Sequence, residues 1–422
     1  MLTNVTIPDG ITRIGFGAFW GCSGLTQITI PDSVTTIEES AFSGSGLTSI
    51  VIGNGITSIG PKAFEGCALG NDVVFNTSRT VLAWVPRETT GNFNIPNTVI
   101  VIGGSAFQGC SELRSITIPD TVTSIGREAF DTCSSLTNVT IPNSVTVVGE
   151  SAFSGCTTLA TVTIQRGISS IGSRAFSDNV SLKNITIPGN VTSVGPYAFS
   201  GCTNLAHVTL EDGMVSIGEF AFSGCAQLAS VGLPGSILSI SAGMFSDCTG
   251  LTGITIPNGV ASIGNLAFSG CNQLLNITIP KSVRALGGSA FSGCSRLASV
   301  NFEGDAPLTP DPGVFPNAPV TVFYLPGATG WGENYANRPA VPWHRTHPTI
   351  FDWGSQFGPS TNGFSLIISW ATNVPVIVEA NVGLSSMAWT PISTNSLTDG
   401  WVKFTDPEWK IHAARFYRVR GL

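Results

Sequence analysis

The chain has 422 residues, of which only 11% are charged, and its formal net charge is −7 at pH 7. An acidic surface repels phosphate backbones, so the composition argues against a nucleic-acid partner. No apolar run approaches the roughly 20 residues of a membrane span, so we expect no membrane insertion.

One residue type recurs along most of the chain. From residue 107 to residue 291 a phenylalanine returns every 23 residues, and three less regular copies come earlier. A unit this short cannot bury its own apolar face, so it is stable only when stacked on copies of itself. The period therefore predicts a repeat solenoid with a phenylalanine core column. The members of this column are Phe19, Phe42, Phe64, Phe107, Phe130, Phe153, Phe176, Phe199, Phe222, Phe245, Phe268 and Phe291.

A single unit, residues 113–133, shows how each coil is expected to fold. Ile116 and Ile118 alternate with polar residues, which predicts a short strand with one buried face. A second short strand follows around Ile125, and Gly126 then turns the chain. The residues around Phe130 fit one compact helical or 3₁₀ turn. The array is therefore predicted to be β-rich, with short strands and one such turn per coil.

The repeat reads L-x-x-I-T-I-P-x-x-V-T-S-I-G-x-x-A-F-x-G-C, and Leu136 to Cys156 is close to this pattern. In this it resembles the BspA-type leucine-rich repeat, and the likeness extends over roughly Leu2 to Phe302. The resemblance implies a bacterial surface or secreted protein with an adhesion and binding role. It also implies an extracellular or cell-surface location, while the ligands differ from one family member to the next.

The period is broken between residues 69 and 102. Strand-like patterning persists there, whereas Pro86 to Asn92 reads as an exposed turn. We interpret the segment as an irregular double-length coil with a protruding hairpin. A protrusion on a uniform solenoid is a reasonable place for a specific contact, which makes Trp84 and Arg87 candidate binding residues. A tolerated surface insertion explains the segment equally well.

All the cysteines lie three residues after a repeat phenylalanine. They are Cys22, Cys67, Cys110, Cys133, Cys156, Cys202, Cys225, Cys248, Cys271 and Cys294. Equivalent residues of neighbouring coils lie about 4.8 Å apart with parallel side chains, whereas a disulfide needs Cβ atoms about 3.8 Å apart. We therefore expect a buried, reduced packing column rather than disulfides, metal ligands or redox centres.

Outward-facing threonines form a second column on the first strand of each coil. Those of the central coils are Thr117, Thr140, Thr163, Thr186 and Thr209, and a further Thr/Ser column follows on the second strand. A regular threonine array could bind an ordered surface or a polysaccharide. The simpler explanation is that threonine suits an exposed strand, because it is β-branched and polar.

The repeat ends near Phe302. Residues 303–343 are expected to cap the array, with Trp331, Tyr335 and Trp343 as an aromatic plug. Residues 344–348 are interpreted as a linker. Alternating apolar runs over residues 349–422 predict a small all-β sandwich, similar in pattern to fibronectin type III or immunoglobulin-like modules. Its tryptophans are expected to pack in the core, or else to stack on carbohydrate; they are Trp353, Trp370, Trp389, Trp401 and Trp409.

Catalytic motifs are absent from the sequence. It contains no nucleophile elbow, P-loop or dinucleotide fingerprint, and His344 and His347 have no nearby cysteine or carboxylate to complete a metal site. We expect no catalytic residue, cofactor or metal, so the chain is predicted not to be an enzyme.

The leading hypothesis is therefore a non-enzymatic adhesion or binding protein. Its solenoid surface would bind a protein ligand or a host or cell-surface component. One alternative is carbohydrate or ordered-surface recognition through the threonines or the C-terminal tryptophans, and another is an accessory role in a larger exported protein. Because Met1 is followed at once by the middle of a repeat, without a signal peptide, we expect the chain to be a fragment or a mis-called start of a longer exported protein.

Overall fold

The computed structural model describes residues 2–307, 313–343, 349–351, 358–360, 363–370, 375–382, 389–397, 401–412 and 414–421. Over these ranges the chain forms a β-solenoid of about 13 turns, followed by small β-sheets. The predicted fold class is confirmed. The only helix among the described residues is a 3₁₀ helix, Trp409–Ile411.

Each regular coil contributes two short strands. The second strands of the coils are β1 (Arg13–Ile14), β3 (Thr36–Ile37), β5 (Ser58–Ile59), β7 (Val81–Trp84), β9 (Val101–Ile102), β11 (Ser124–Ile125), β13 (Val147–Val148), β15 (Ser170–Ile171), β17 (Ser193–Val194), β19 (Ser216–Ile217), β20 (Ser239–Ile240), β21 (Ser262–Ile263) and β23 (Ala285–Leu286). The first strands are β2 (Gln27–Ile30), β4 (Ser49–Ile52), β8 (Gly91–Asn94), β10 (Leu113–Thr117), β12 (Asn138–Ile141), β14 (Thr161–Ile164), β16 (Asn184–Ile187), β18 (His207–Leu210), β22 (Asn276–Ile279), β24 (Ser299–Phe302), β25 (Thr321–Tyr324) and β27 (Arg338–Pro342). Two further strands, β6 (Val74–Phe75) and β26 (Asn334–Tyr335), pair antiparallel with β7 and β27.

Equivalent strands of successive coils pair in parallel. The first strands from β8 to β18 form a six-stranded sheet, and the second strands from β7 to β19 form an eight-stranded sheet with β6 at its edge. The register follows the repeat, so that Val139 pairs with Val162 and Ile141 with Ile164. Each strand therefore places its apolar residues in one continuous core.

The predicted phenylalanine column forms the centre of that core. Neighbouring rings stack with centroids 4.7 to 5.9 Å apart from Phe107 to Phe291. Phe315 continues the stack beyond Phe291 at 5.5 Å, which the sequence analysis missed because this residue departs from the 23-residue period. A separate stack joins Phe19, Phe42 and Phe64.

The compact turn at each phenylalanine is held by two sets of hydrogen bonds. Asp131 and Cys133 donate their N–H groups to carbonyls three residues back, as in a 3₁₀ turn. The intervening N–H groups of Glu128, Phe130 and Thr132 donate to the next coil instead, and Glu128 and Thr132 have left-handed φ angles of 57°. Alternate N–H groups of the turn therefore bond to the neighbouring coil, and the turn does not continue as a helix.

Both strand ladders are interrupted after β18 and β19. At this turn the next coil has Ser241 where Gly126 and Gly218 stand in regular coils. A Cβ atom at Gly218 would lie 2.5 Å from the backbone nitrogen of Pro196, so only glycine fits the regular spacing. In the regular coil, the N–H of Gly218 donates to the carbonyl of Val194 in the preceding coil. In the next coil, the equivalent carbonyl, that of Ile217, accepts the hydroxyl of Ser241. Ser241 thus lies at the interruption of the second-strand ladder between β19 and β20.

The chain divides into two compact units, and the second comprises residues 278–284, 299–310 and 320–422. In this unit β24, β25 and β27 pair in parallel. The ring of Trp331 stacks on Tyr324 with centroids 5.1 Å apart and also packs against Phe302 and Tyr335. Two members of the predicted aromatic plug, Trp331 and Tyr335, therefore lie together.

The last residues form two antiparallel sheets. The strands are β28 (Thr349–Phe351), β29 (Gly358–Ser360), β30 (Gly363–Ser369), β31 (Pro375–Asn381), β32 (Thr390–Ser396), β33 (Trp401–Asp406) and β34 (Phe416–Gly421). One sheet contains β28, β29, β30 and β33, and the other has the order β32-β31-β34. Leu366 and Ile368 of the first sheet share a buried cluster with Val376 and Val378 of the second, as in a small sandwich.

Candidate functional site

The predicted outward threonines lie on one sheet. Thr117, Thr140, Thr163, Thr186 and Thr209 are all exposed on β10 to β18, and the register pairs Thr140 with Thr163 and Thr186 with Thr209. Successive side chains of this column are therefore about 4.8 Å apart. A parallel exposed column contains Asn138, Thr161, Asn184 and His207. We call these nine residues the threonine face; it contains no carboxylate, lysine or arginine.

The two threonine columns of the array differ in what their hydroxyls do. Immediately before the second strands, Thr123, Thr146 and Thr192 donate their hydroxyls to carbonyls of the preceding coil at 3.2–3.3 Å. Within the part of the chain that the structure describes, the threonine face shows no such bond from Thr140 or Thr163. The second-strand column is thus structural, whereas the first-strand hydroxyls are available to a ligand.

The predicted double-length coil supplies two strands, β7 and β9, to the second-strand ladder, and the phenylalanine turn is missing after β7. Val85 donates its N–H to Ala106, the bond that a repeat phenylalanine makes elsewhere, and Pro86 accepts the thiol of Cys110. The N–H of Gly104 donates to the carbonyl of Ile59, two coils earlier. Gly91 and Asn92 belong to β8, so the exposed turn is shorter than Pro86–Asn92.

The missing turn leaves a notch, defined by Lys62, Glu65, Trp84, Arg87 and Gln108. The structure therefore brings the two candidate residues Trp84 and Arg87 together. Arg87 pairs with Glu65 at 3.4 Å, and Lys62 pairs with Glu128 at 3.7 Å. Arg87 and Glu65 thus pair within the notch, whereas Lys62 and Gln108 bind Glu128 beside it.

Arg127 extends this charged network. It lies 3.3 Å from Glu39, 3.5 Å from Glu128 and 3.6 Å from Glu150. Burial raises the pKa of Glu128, and the nearby Lys62 and Arg127 only partly oppose this effect. We therefore interpret the notch as a structural site. Its ion pairs connect the coils on either side of the coil that lacks its turn.

The cysteine column is reduced, and all its members are free thiols. Cys133, Cys156 and Cys202 donate their thiols to the carbonyl of the repeat phenylalanine one coil earlier, at 3.1–3.2 Å. Burial raises the pKa of Cys110 and Cys202 to about 12. Among the described residues no group of three or more histidines, cysteines or carboxylates could hold a metal ion. His344 and His347 lie outside those residues.

A partly exposed pair of stacked aromatic rings was missed by the sequence analysis. Tyr197 and Phe220 occupy the left-handed position two residues before the repeat phenylalanine, with φ angles of 58° and 54°. Their rings stack at 5.0 Å, and the Arg174 guanidinium lies 4.7 Å from the Tyr197 ring. Aligning the outward positions of all repeats would have identified this pair.

Three tryptophans of the C-terminal sandwich have close partners. The Arg418 guanidinium lies 4.7 Å from the Trp389 ring, Trp409 packs against Phe364, and Trp370 packs against the sandwich core. Stacking on a sugar requires an open ring face, and these contacts reduce the face that each ring offers. Trp353 and the side chain of Trp401 lie outside the described residues.

The stacked coils and open strand surface define a leucine-rich-repeat solenoid of bacterial type. The chain belongs to the BspA type leucine rich repeat region family, which matches residues 1–83, 87–206 and 192–307 in six copies. No curated protein matches the chain. No helix in the described part of the chain has the length and apolar character needed to span a membrane.

Two solved structures share this fold. A leucine-rich repeat protein from Bacteroides ovatus has 25% identity and a TM-score of 0.52, covering 81% of this chain and 91% of its own. The pneumococcal vaccine antigen PcpA has 20% identity and a TM-score of 0.50, covering 82% of this chain and 88% of its own.

Proposed function

We propose that this chain is a non-enzymatic binding module of a bacterial surface or secreted protein, and that its threonine face binds a protein ligand. The observation that carries the proposal is the exposed row from Thr117 to Thr209, whose hydroxyls the fold does not use. Membership of a leucine-rich-repeat family supports protein binding as the general role. Membership of the BspA-type family supports a surface or secreted location.

The physical properties of this face suit recognition of a polar protein surface. Its strands are fixed by in-register pairing, so little backbone order has to be gained on binding. Hydroxyl and amide groups both donate and accept hydrogen bonds, which allows them to match a polar partner. Because the face has no carboxylate despite the net charge of −7, it does not repel acidic ligands as the whole chain does.

The test is a binding screen with matched variants. The purified chain is applied to arrays of extracellular-matrix proteins and of bacterial and plant polysaccharides. A triple variant, Thr140→Lys, Thr163→Lys and Thr186→Lys, changes the threonine face. A control triple, Thr203→Lys, Thr249→Lys and Asn272→Lys, adds the same charge at exposed positions that directly follow column cysteines.

The proposal predicts protein binding that the threonine-face variant loses and the control variant keeps. Equal loss in both variants would show that added charge alone is responsible, and equal retention would place the ligand elsewhere. Polysaccharide binding with the same variant pattern supports the second candidate function, carbohydrate recognition. That candidate is favoured by the regular 23-residue register, which repeats the same side chains along one direction as a polysaccharide repeats its sugars.

We also propose the domain organisation predicted from the sequence. The array would extend over residues 1–302, with the cap at 303–343, the linker at 344–348 and the sandwich at 349–422. The packing of Trp331 on Tyr324 and Tyr335 supports the proposed cap, since buried aromatic groups cover apolar coil ends effectively.

A further inference from the structure

The first-strand ladder has an open edge at β4. This strand pairs with β2 on one side, but no further ladder strand follows on the other. The next coil touches β4 through a single bridge, Ile52 with Asn76, supported by the Thr77 N–H donated to Ile52. Its preceding residues form β6, which turns away to pair antiparallel with β7. The two chain segments therefore diverge from the Ile52 end of β4.

The divergence leaves backbone groups of β4 without a strand partner. Ser49 and Gly53 donate their N–H groups to Thr26 and Ile30 on the β2 side. Backbone direction alternates along a strand, so the N–H and C=O of Ile50 point to the opposite edge. Across the described residues, no ladder pairing is present for Ile50 on that edge. Ile50 is also partly exposed, whereas its equivalent Ile28 is only 5% exposed.

A groove of about 410 Å³ lies beside this edge. We call it the edge groove; much of its lining is polar, and its apolar residues include Ile50, Val73 and Phe75, while Asp72 and Arg79 provide its charged groups. The Arg79 guanidinium lies 4.3 Å from the Phe75 ring centroid, so it covers part of that ring. This volume falls within the range of ligand sites in proteins.

We propose that the edge groove binds an extended peptide of a partner protein, which adds as a strand to β4. Backbone groups of the peptide would pair with the N–H and C=O of Ile50, and its alternate side chains would contact Val73 and Phe75. An extended chain is the occupant that fits, because its backbone supplies the missing partners of Ile50 and its alternate side chains can meet both the apolar and the polar residues of the groove. This inference goes beyond the proposed function by assigning a second site for a protein ligand, and it rests only on the general part of that function, which is protein binding.

The test uses peptides selected from a random library displayed on phage and panned against the full chain. The tightest peptide is then synthesised in three forms: unmodified, N-methylated at odd residues, and N-methylated at even residues. In a strand only alternate N–H groups face β4, so one N-methylated form should bind at least about tenfold more weakly. The other form should stay within about threefold of the parent. Equal effects of the two modifications, or a library that yields no binder, would overturn the proposal.

A variant pair locates the peptide on the molecule. Val73→Lys should weaken peptide binding at least about tenfold, because it replaces an apolar contact of the peptide with a charged side chain. Val147→Lys is the matched control, since Val147 is 53% exposed on β13 and lies outside the groove. Equal affinities of the two variants would contradict the proposed site. Thermal unfolding of both variants checks that the fold is retained, and slower hydrogen exchange at Ile50 on peptide addition provides a readout that does not depend on a mutation.

Failure of this inference is distinguishable from failure of the proposed function. If a matrix protein binds and only the Lys triple on the threonine face removes binding, the proposed function stands and the edge groove is not its site. If Val73→Lys removes binding and the triple does not, the ligand uses the edge groove. If both the Val73→Lys variant and the Lys triple keep matrix binding, the result contradicts both the proposed function and this inference.

Discussion

Replacing Phe199 by alanine tests the central packing column. Phe199 is fully buried, and its ring stacks on Phe176 at 5.5 Å and on Phe222 at 5.6 Å. Large-to-small changes of a buried phenylalanine cost about 3–5 kcal/mol, because transfer energy is lost and a cavity remains. We expect the upper part of that range, since each aromatic pair adds about 0.5–1.5 kcal/mol beyond its area.

The control for this change is Phe19→Ala. Phe19 is only partly buried and stacks on a single ring, Phe42, so its loss should cost about 1–2 kcal/mol. Urea unfolding followed by far-ultraviolet circular dichroism measures both variants, with the slope checked because repeat arrays lose cooperativity. A cost below about 1 kcal/mol for Phe199→Ala, or equal costs for the two variants, would refute the stacking argument.

Three further predictions concern the thiols, one carboxyl group and the ladder interruption. At pH 8, Cys202 should resist alkylation in the folded protein, because burial raises its pKa to about 12, whereas the partly exposed Cys22 should react; rapid labelling of Cys202 would contradict its burial. Burial raises the pKa of Glu128, so its ionisation should destabilise the fold as pH rises above about 4.5. Glu128→Gln should therefore show a smaller fall in unfolding midpoint with rising pH than the wild type, and identical pH profiles would refute this. The amide of Leu238 should exchange faster than its equivalents in regular coils, and Ser241→Gly should slow that exchange by restoring the ladder; unchanged exchange would mean that Ser241 is not the cause.

The fold was predictable because the repeat makes one local solution recur. The spacing of Phe107 to Phe291 and the alternation around Ile116 were enough to indicate the two strands, the turn and the buried column. The left-handed turn geometry was not predictable from one unit, because it depends on N–H groups that bond to the next coil, such as Phe130 to Ala152. Phe315 was missed since it follows Phe291 by 24 residues.

The candidate sites depended more on tertiary structure. The sequence identified the outward threonines, but Thr123 and Thr140 look alike until the hydrogen bonds of each column are known. Trp84 and Arg87 were selected because the phenylalanine spacing is irregular around them. The notch itself was not predicted, because it results from the phenylalanine turn that this coil lacks. The edge groove had no sequence signal, because it arises where β6 leaves one sheet and joins the other.

Photo-crosslinking from the threonine face tests the functional account most directly. A photoreactive phenylalanine analogue is placed at Thr163 on β14 or, as a control, at Thr203, which is exposed but lies outside that face. Each protein is irradiated with the matrix protein that binds the wild type. The account predicts a crosslinked product from position 163 and none from position 203. A product from position 203 alone, or from neither position while binding persists, would contradict recognition through the threonine face.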